Sequence, residues 1–318
     1  MKRTLFILFI VFLPTLIQSC GKVSPVGLKP LAFDKLETKA GLSSIYSDFK
    51  VWTSFQNSES SSDIMSGYRV NYTAEGWSYT SGEGTDGQEL QFWSESQGSY
   101  HFHAGAPYER VNSIDANSLT LNLQASTNIN ETALFSYPYY VSRTDPEYGN
   151  TVALSFSYAN SRVNIAFRCT SSGDVTIGDI TLTPPAGAEY VTSGSLKLLY
   201  DWELRRAAPL ESSVDTKSSK PLGFAEMTIP AGEKTSKENS QPRYMVPCST
   251  VKGQWTASMK IDGRDKRVLF TIDKPWEPGR SYLYRFEYTD EANLVFLGSD
   301  ETLFIGENPE DGGNHNFS

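Results

Sequence analysis

The chain reads as an all-β protein of two β-sandwich domains in tandem after a signal peptide, and three observations say so. Apolar residues alternate with polar ones in short runs: Leu119, Leu121 and Leu123 are interleaved with Thr120 and Asn122, the period of a half-buried strand. Gly, Asn, Asp, Ser and Pro break these runs, as turns require. Beyond residue 19 no amphipathic helix longer than two turns is legible, which leaves sandwiches or barrels rather than a parallel α/β sheet. Composition agrees, with 13% of the 318 residues aromatic and only 20% charged, the balance of a β-rich exported protein.

The elements follow in chain order. Met1-Lys2-Arg3 is positively charged, and residues 4–17 are apolar apart from Thr4, Thr15 and Pro14, too short and wrongly flanked for an ordinary membrane span. The stretch ends Leu16-Ile17-Gln18-Ser19-Cys20. A small residue just before a cysteine looks like the lipobox of bacterial lipoproteins, so 1–19 is expected to be a lipoprotein signal peptide and Cys20 the lipidated N-terminus. A thiolate is the nucleophile such acylation needs, and two or three acyl chains hold a protein on a membrane where one does not. The remaining 299 residues suffice for two domains of about 150.

Residues 20–29 read as a tether and Pro30-Leu31-Ala32-Phe33-Asp34-Lys35-Leu36-Glu37 as a first strand, opening an N-terminal sandwich over 30–148. Within it Tyr68, Val70 and Tyr72 share a face, and Ala74-Glu75-Gly76 turns the chain towards Trp77 and Tyr79. Residues 137–150, with Pro138, Pro146 and Gly149, read as a linker. The C-terminal sandwich, 149–318, is expected to open with a hairpin: Val152, Leu154, Phe156 and Tyr158 on one arm, a turn at Ala159-Asn160-Ser161-Arg162, then Val163, Ile165, Phe167 and Cys169. In a second hairpin Asp262-Gly263 is a favoured two-residue turn, placing Trp255 opposite Phe270 and Ala257 opposite Val268. Tyr282, Tyr284, Phe286 and Tyr288 form a further alternating strand, while 211–219 and 232–241 read as polar loops. Cys169 and Cys248 could form a disulfide in an oxidising envelope, or Cys169 could be a small core residue.

Little points to catalysis. The net charge is −9, and −11 once Lys2 and Arg3 leave with the leader, which argues against a grip on nucleic acid or anionic lipid heads. His101 and His103 share a strand face without an evident third metal ligand, and read as partly exposed strand histidines. No Gly-x-Ser-x-Gly elbow occurs, and no histidine lies between 104 and 314. The acid pairs Asp145/Glu147 and Asp300/Glu301 fall in turns, where carboxylates are usually solvated, and Asp86 and Glu89 lack the other positions of a calcium loop. No enzyme activity, cofactor or metal is expected. Trp52, Trp77, Trp93, Trp202, Trp255 and Trp276 could stack on sugar rings, giving the alternative of a cell-surface glycan-binding lipoprotein that stays monomeric; equally they could fill sandwich cores.

A second set of motifs carries a resemblance. Glu37-Thr38-Lys39-Ala40 follows the first strand. Phe49-Lys50-Val51-Trp52, Tyr68-Arg69-Val70, Gly76-Trp77-Ser78-Tyr79, Phe92-Trp93 and Tyr100-His101-Phe102-His103-Ala104 come next in order. Val152 to Phe167 and Trp276-Glu277-Pro278-Gly279-Arg280-Ser281-Tyr282-Leu283-Tyr284 mark the second half. In order and spacing these resemble the fimbrillin family, subunits of type V pili and related surface lipoproteins of gut and oral anaerobes.

The resemblance implies two transthyretin-like sandwiches and assembly by strand exchange. A lipidated precursor reaches the outer membrane surface, a trypsin-like protease cuts after the first strand, and a neighbouring subunit's strand fills the groove, so that the mature protein resides in a pilus and serves adhesion. Carried onto this chain, Leu31, Phe33 and Leu36 would plug the groove. The cut would fall between Lys39 and Ala40, and Leu294, Phe296, Leu303 and Ile305 would belong to a donor strand within 293–305. Implied partners are other pilus subunits, the membrane through Cys20, the protease, and host or bacterial surface ligands. The chain departs from the family pattern in three places. Tyr158 stands where the family has His, Lys39 where Arg is frequent, and 306–318 is polar and glycine-rich. The last favours a tip or accessory subunit over a stalk subunit.

Overall fold

A computed structural model describes residues 28–33, 46–170, 172–232, 235–289 and 293–304. Among them the regular structure is β, with two single-turn 3-10 helices and no α-helix. Four sheets form. The first runs Gly76–Ser78, Ser61–Thr73, Asp48–Gln56, Ser99–Ala106, Leu134–Ser136, Phe156–Tyr158, with Tyr139–Ser142 also on Ser99–Ala106. The second runs Arg206–Ser218, Tyr190–Asp201, Ser118–Gln124, Val111–Ile114. The third is built on Ser161–Cys169, Arg280–Tyr288 and Leu294–Leu303, and the fourth on Val175–Thr183, Gly253–Ile261 and Arg264–Ile272.

Three hydrophobic clusters occupy the space between and beside these sheets. One, around Phe167, Trp255, Trp276 and Phe286, lies between the third and fourth sheets. A second, around Leu119, Leu121, Phe135, Leu196 and Leu198, lies between the first and second. The last, around Phe33, Phe49, Phe102 and Tyr158, covers the other face of the first sheet. With both faces covered, the central strand Asp48–Gln56 is buried along nearly its whole length. Phe49 and Val51 point to one cluster, and Trp52 packs between His103 (5.1 Å) and Trp202 (6.3 Å) on the opposite side.

The Asp262-Gly263 hairpin forms in the expected register, Trp255 opposite Phe270 and Ala257 opposite Val268. Both turn residues take positive φ, 47° and 77°, as a type I′ turn demands. Cys169 is buried in the core, and Cys169 and Cys248 are both free thiols rather than a disulfide.

Four other expectations are corrected. The first is the hairpin expected over 152–169. Phe156–Tyr158 pairs with Leu134–Ser136 in the first sheet, whereas Ser161–Cys169 runs parallel to Arg280–Tyr288 in the third. Residues 159–160 are therefore a buried crossover. The Asn160 side chain accepts from Ala133 N (3.1 Å) and donates to Gln124 O (3.1 Å), so its polar groups are satisfied without a solvent turn.

The second is the polar stretch 211–219, which lies mostly in the edge strand Arg206–Ser218. Its solvent-facing side chains explain its loop-like composition. Thirdly, the linker expected over 137–150 contributes a strand, with Tyr100 opposite Val141. Finally, sheet membership does not follow a division at 148/149. The hairpin spanning 190–218 completes the sheet of Ser118–Gln124, through pairs such as Leu196 with Leu121.

Gly279 marks a joint between the two halves. At φ +68° an added Cβ would sit 2.8 Å from Ser157 Oγ and 3.1 Å from Tyr158 O. Only glycine allows the Trp276-Glu277-Pro278-Gly279 segment this close to the end of the first sheet.

Candidate functional site: the terminal segments and their cradles

Residues 28–33 lie between two stretches of chain that are far apart in sequence. On one side Leu31 N donates to Gln91 O (2.8 Å) and Trp93 N to Lys29 O (3.0 Å); on the other Val152 N donates to Ala32 O (2.8 Å). The pairing is antiparallel at Pro30 with Phe92 and parallel at Phe33 with Val152, in isolated bridges rather than a continuous ladder. Tyr79 OH also donates to Leu31 O at 2.9 Å, and burial pushes its pKa up to about 12, keeping the phenol a donor at any ordinary pH.

Two side chains of the segment are buried as well. Leu31 is 1% exposed and Phe33 5%. Phe33 meets Phe49, Tyr79 and Phe102 edge to face, with centroids 5.5, 6.2 and 6.4 Å away, a favoured aromatic geometry. Trp93 stands against Tyr100 (4.9 Å) and Tyr148 (4.7 Å), whose hydroxyls tie down the neighbouring loop through Phe92 O (3.0 Å) and Ser94 O (2.6 Å). Burying a Leu and a Phe contributes about 1.5–3 kcal/mol each, so removing the segment would bare a groove lined by aromatic rings.

At the other end Leu294–Leu303 is the edge strand of the third sheet, paired antiparallel to Arg280–Tyr288. Leu294 and Phe296 pack partly buried on the core, Phe296 lying 5.1 Å from Phe270 and 5.5 Å from Phe286. Leu303 is 61% exposed. Sequence reasoning passed over Phe304, the next residue. Its N–H donates to Gly279 O (2.8 Å), and its ring stacks on Tyr158 at 3.9 Å and near Tyr244 at 5.7 Å. Phe304 thus belongs to the core that also holds Phe33. The only local signal was its place in the apolar run 302–305. Cys20, Leu36, Lys39, Ala40 and Ile305 lie outside the described residues.

The expected catalytic outsiders have structural surroundings. His101 and His103 are buried, not partly exposed. They lie inside the sandwich beside Trp202 and Tyr200, with the His103 ring 4.1 Å from Tyr200 and the His101 ring 4.8 Å from Trp202. Burial pushes His103 down to about 3 and lowers His101 as well. Asp300 pairs with Arg285 at 3.0 Å, and Glu301 with Lys274 at 2.7 Å. Among the described residues no group of three or more His, Cys, Asp or Glu is placed to hold a metal. Trp52, Trp93, Trp255 and Trp276 are all buried, so their indole faces serve the cores and are not available to sugars.

Layered sheets closed around aromatic cores, with residues 28–33 plugged into one of them, define an all-β sandwich protein. The chain belongs to the fimbrillin-like family, whose model matches residues 47–300. Solved structures resemble the chain at low sequence identity. A fimbrial protein from Bacteroides vulgatus is 13% identical with a TM-score of 0.55, over 87% of this chain and 99% of that one. A candidate cell adhesion protein from Bacteroides uniformis is 15% identical (TM-score 0.49; 88% and 100% covered). The fimbrial anchor protein Mfa2 from Porphyromonas gingivalis is 11% identical (TM-score 0.32; 86% and 96% covered). No match was found among curated proteins.

Proposed function

We propose that this chain is the lipoprotein precursor of a pilus-type subunit serving adhesion at the cell surface. It is anchored through Cys20, cut between Lys39 and Ala40 by a trypsin-like protease, and assembled by strand exchange. Family membership supports the pilus class. The observation that carries the mechanism is the way residues 28–33 are held. Leu31 and Phe33 are sealed into an aromatic core, while among the described residues three backbone hydrogen bonds tie the segment to the chain on either side. A strand of that kind can be exchanged: loss of its two plugs exposes apolar surface, and bared N–H and C=O groups on either side invite another chain's strand. Leu294, Phe296, Leu303 and Ile305 remain the candidates for donation. Within the monomer Leu294–Leu303 is already engaged with its own sheet and continues to the buried Phe304, which favours a tip or accessory subunit that accepts a strand. No helix among the described residues is long and apolar enough to cross a membrane.

The Lys39→Ala variant tests the cut. Uncut precursor should accumulate on cells and the high-mass ladder should fall several-fold; an unchanged ladder would remove Lys39 from the mechanism.

A further inference from the structure

A cleft of about 470 Å³ opens where three sheets meet. Its walls include Ser126 and Thr127 just past the Ser118–Gln124 strand, Tyr190 and Thr192 at the start of Tyr190–Asp201, Gly223, and Arg243. A backbone bridge fixes the floor, Ser126 N to Tyr244 O and Tyr244 N to Ser126 O, both 2.8 Å. The residues on either side of it, Thr127 and Arg243, are thereby set in place.

Arg243 is the unusual member. It is half-buried, its Nε donates to Gly223 O (2.5 Å), and its guanidinium carbon lies 5.7 Å from the Phe224 ring centre. Among the described residues no carboxylate pairs with it. The nearby Glu131 is engaged with the Ser126 hydroxyl at 2.6 Å. Burial lowers the proton affinity of Arg243, yet an arginine stays charged in a protein. A guanidinium drawn partly out of water with no carboxylate partner among the described residues, in a protein of net charge −9, is suited to take an anion from outside the chain. Lys220 stands at the edge, its backbone carbonyl accepting from Tyr190 OH at 3.0 Å. Around the cation the walls offer the Thr127 hydroxyl, the Thr192 hydroxyl, which shares a hydrogen bond of 2.7 Å with Thr216 and keeps spare acceptor capacity, and the Tyr190 ring, polar groups and an apolar face on the scale of a hexose.

We infer that this cleft binds a carboxylate-bearing sugar, a uronic or sialic acid unit of a glycan, with Arg243 taking the carboxylate and the threonine hydroxyls reading the ring. The inference rests on the adhesion reading only for the role of the ligand. Binding is measured on monomer and maturation on the Lys39→Ala ladder, so either can fail alone.

The test titrates the purified full-length protein with the methyl glycosides of glucuronic acid and N-acetylneuraminic acid, with the methyl ester of each, and with acetate. At least one acid should bind one-to-one, and its ester about tenfold or more weaker, since esterification removes a charge-assisted contact. Whichever acid binds assigns the source, uronate-containing polysaccharide or sialylated glycan. Arg243→Gln should lose about tenfold or more in affinity and Arg243→Lys should fall between. The ester comparison needs no mutant and so survives a folding defect. Equal binding of acid and ester would overturn the inference, as would failure of both acids to bind at about 10 mM or acetate competing as well as the sugar acid.

Discussion

The two terminal segments are held by opposite means. Among the described residues, 28–33 contribute two fully committed side chains and three backbone hydrogen bonds, to Gln91 and Trp93 on one side and Val152 on the other. Leu294–Leu303 contributes a long ladder, Arg280 with Leu303 through Tyr288 with Leu294. Its outward side chains, Val295, Leu297 and Leu303, remain 41%, 37% and 61% exposed. A segment retained by side chains leaves an apolar groove when removed, whereas one retained by a ladder leaves an open edge. The first vacancy selects a partner by shape as well as by hydrogen bonds, which is the requirement for ordered assembly. Phe304 complicates the contrast, because it fastens the far end of the ladder strand into the core plugged by Phe33.

The contrast can be broken in graded ways. The double variant Leu31→Ala/Phe33→Ala should have the largest effect, destabilising the uncut protein by about 5 kcal/mol or more. Urea unfolding followed by tryptophan fluorescence would read this, and a loss under 1 kcal/mol would mean the segment is merely draped on the surface. Phe304→Ala should cost about 3 kcal/mol. In hydrogen exchange the loosening should reach Tyr158 and Tyr244, not only the adjacent strand.

Acid should separate the sandwiches by a smaller amount. The folded pKa of His103 is depressed to about 3. The unfolded chain therefore takes the proton first, and stability present above pH 6.5 is lost progressively as pH falls towards 3. At pH 5 the loss is about 2 kcal/mol. It should fall on the sandwich containing His103 and flatten between pH 6.5 and 5 in His103→Gln. Least of all, Leu303→Thr should change stability by less than about 0.5 kcal/mol, because the side chain is mostly in water.

Much of the fold was legible where the instructions are local. The 255–270 hairpin came out in register because Asp262-Gly263 fixes a two-residue turn and the apolar faces admit one alignment. Leu31 and Phe33 drew attention only through the family resemblance, and their burial became visible only in the structure. Connections set by distant partners were not legible. Apolar runs flanking Ala159-Asn160 look like hairpin arms, and only the parallel pairing of Arg162–Cys169 with Ser281–Tyr288, more than 100 residues away, pulls them into different sheets. The strand Arg206–Ser218 has the composition of a loop because it is an edge with one neighbour, and most of its side chains face solvent. Arg243 carried no sequence signal at all, since an unpaired guanidinium is recognisable only once burial and the missing carboxylate are seen.

The central claim is that the first segment leaves and another chain's strand replaces it. The direct test is the N-terminal sequence and intact mass of protein sheared from cells. The account predicts chains beginning at Ala40, free of lipid, within a high-mass ladder. Chains beginning only at acylated Cys20, as monomers, would contradict it.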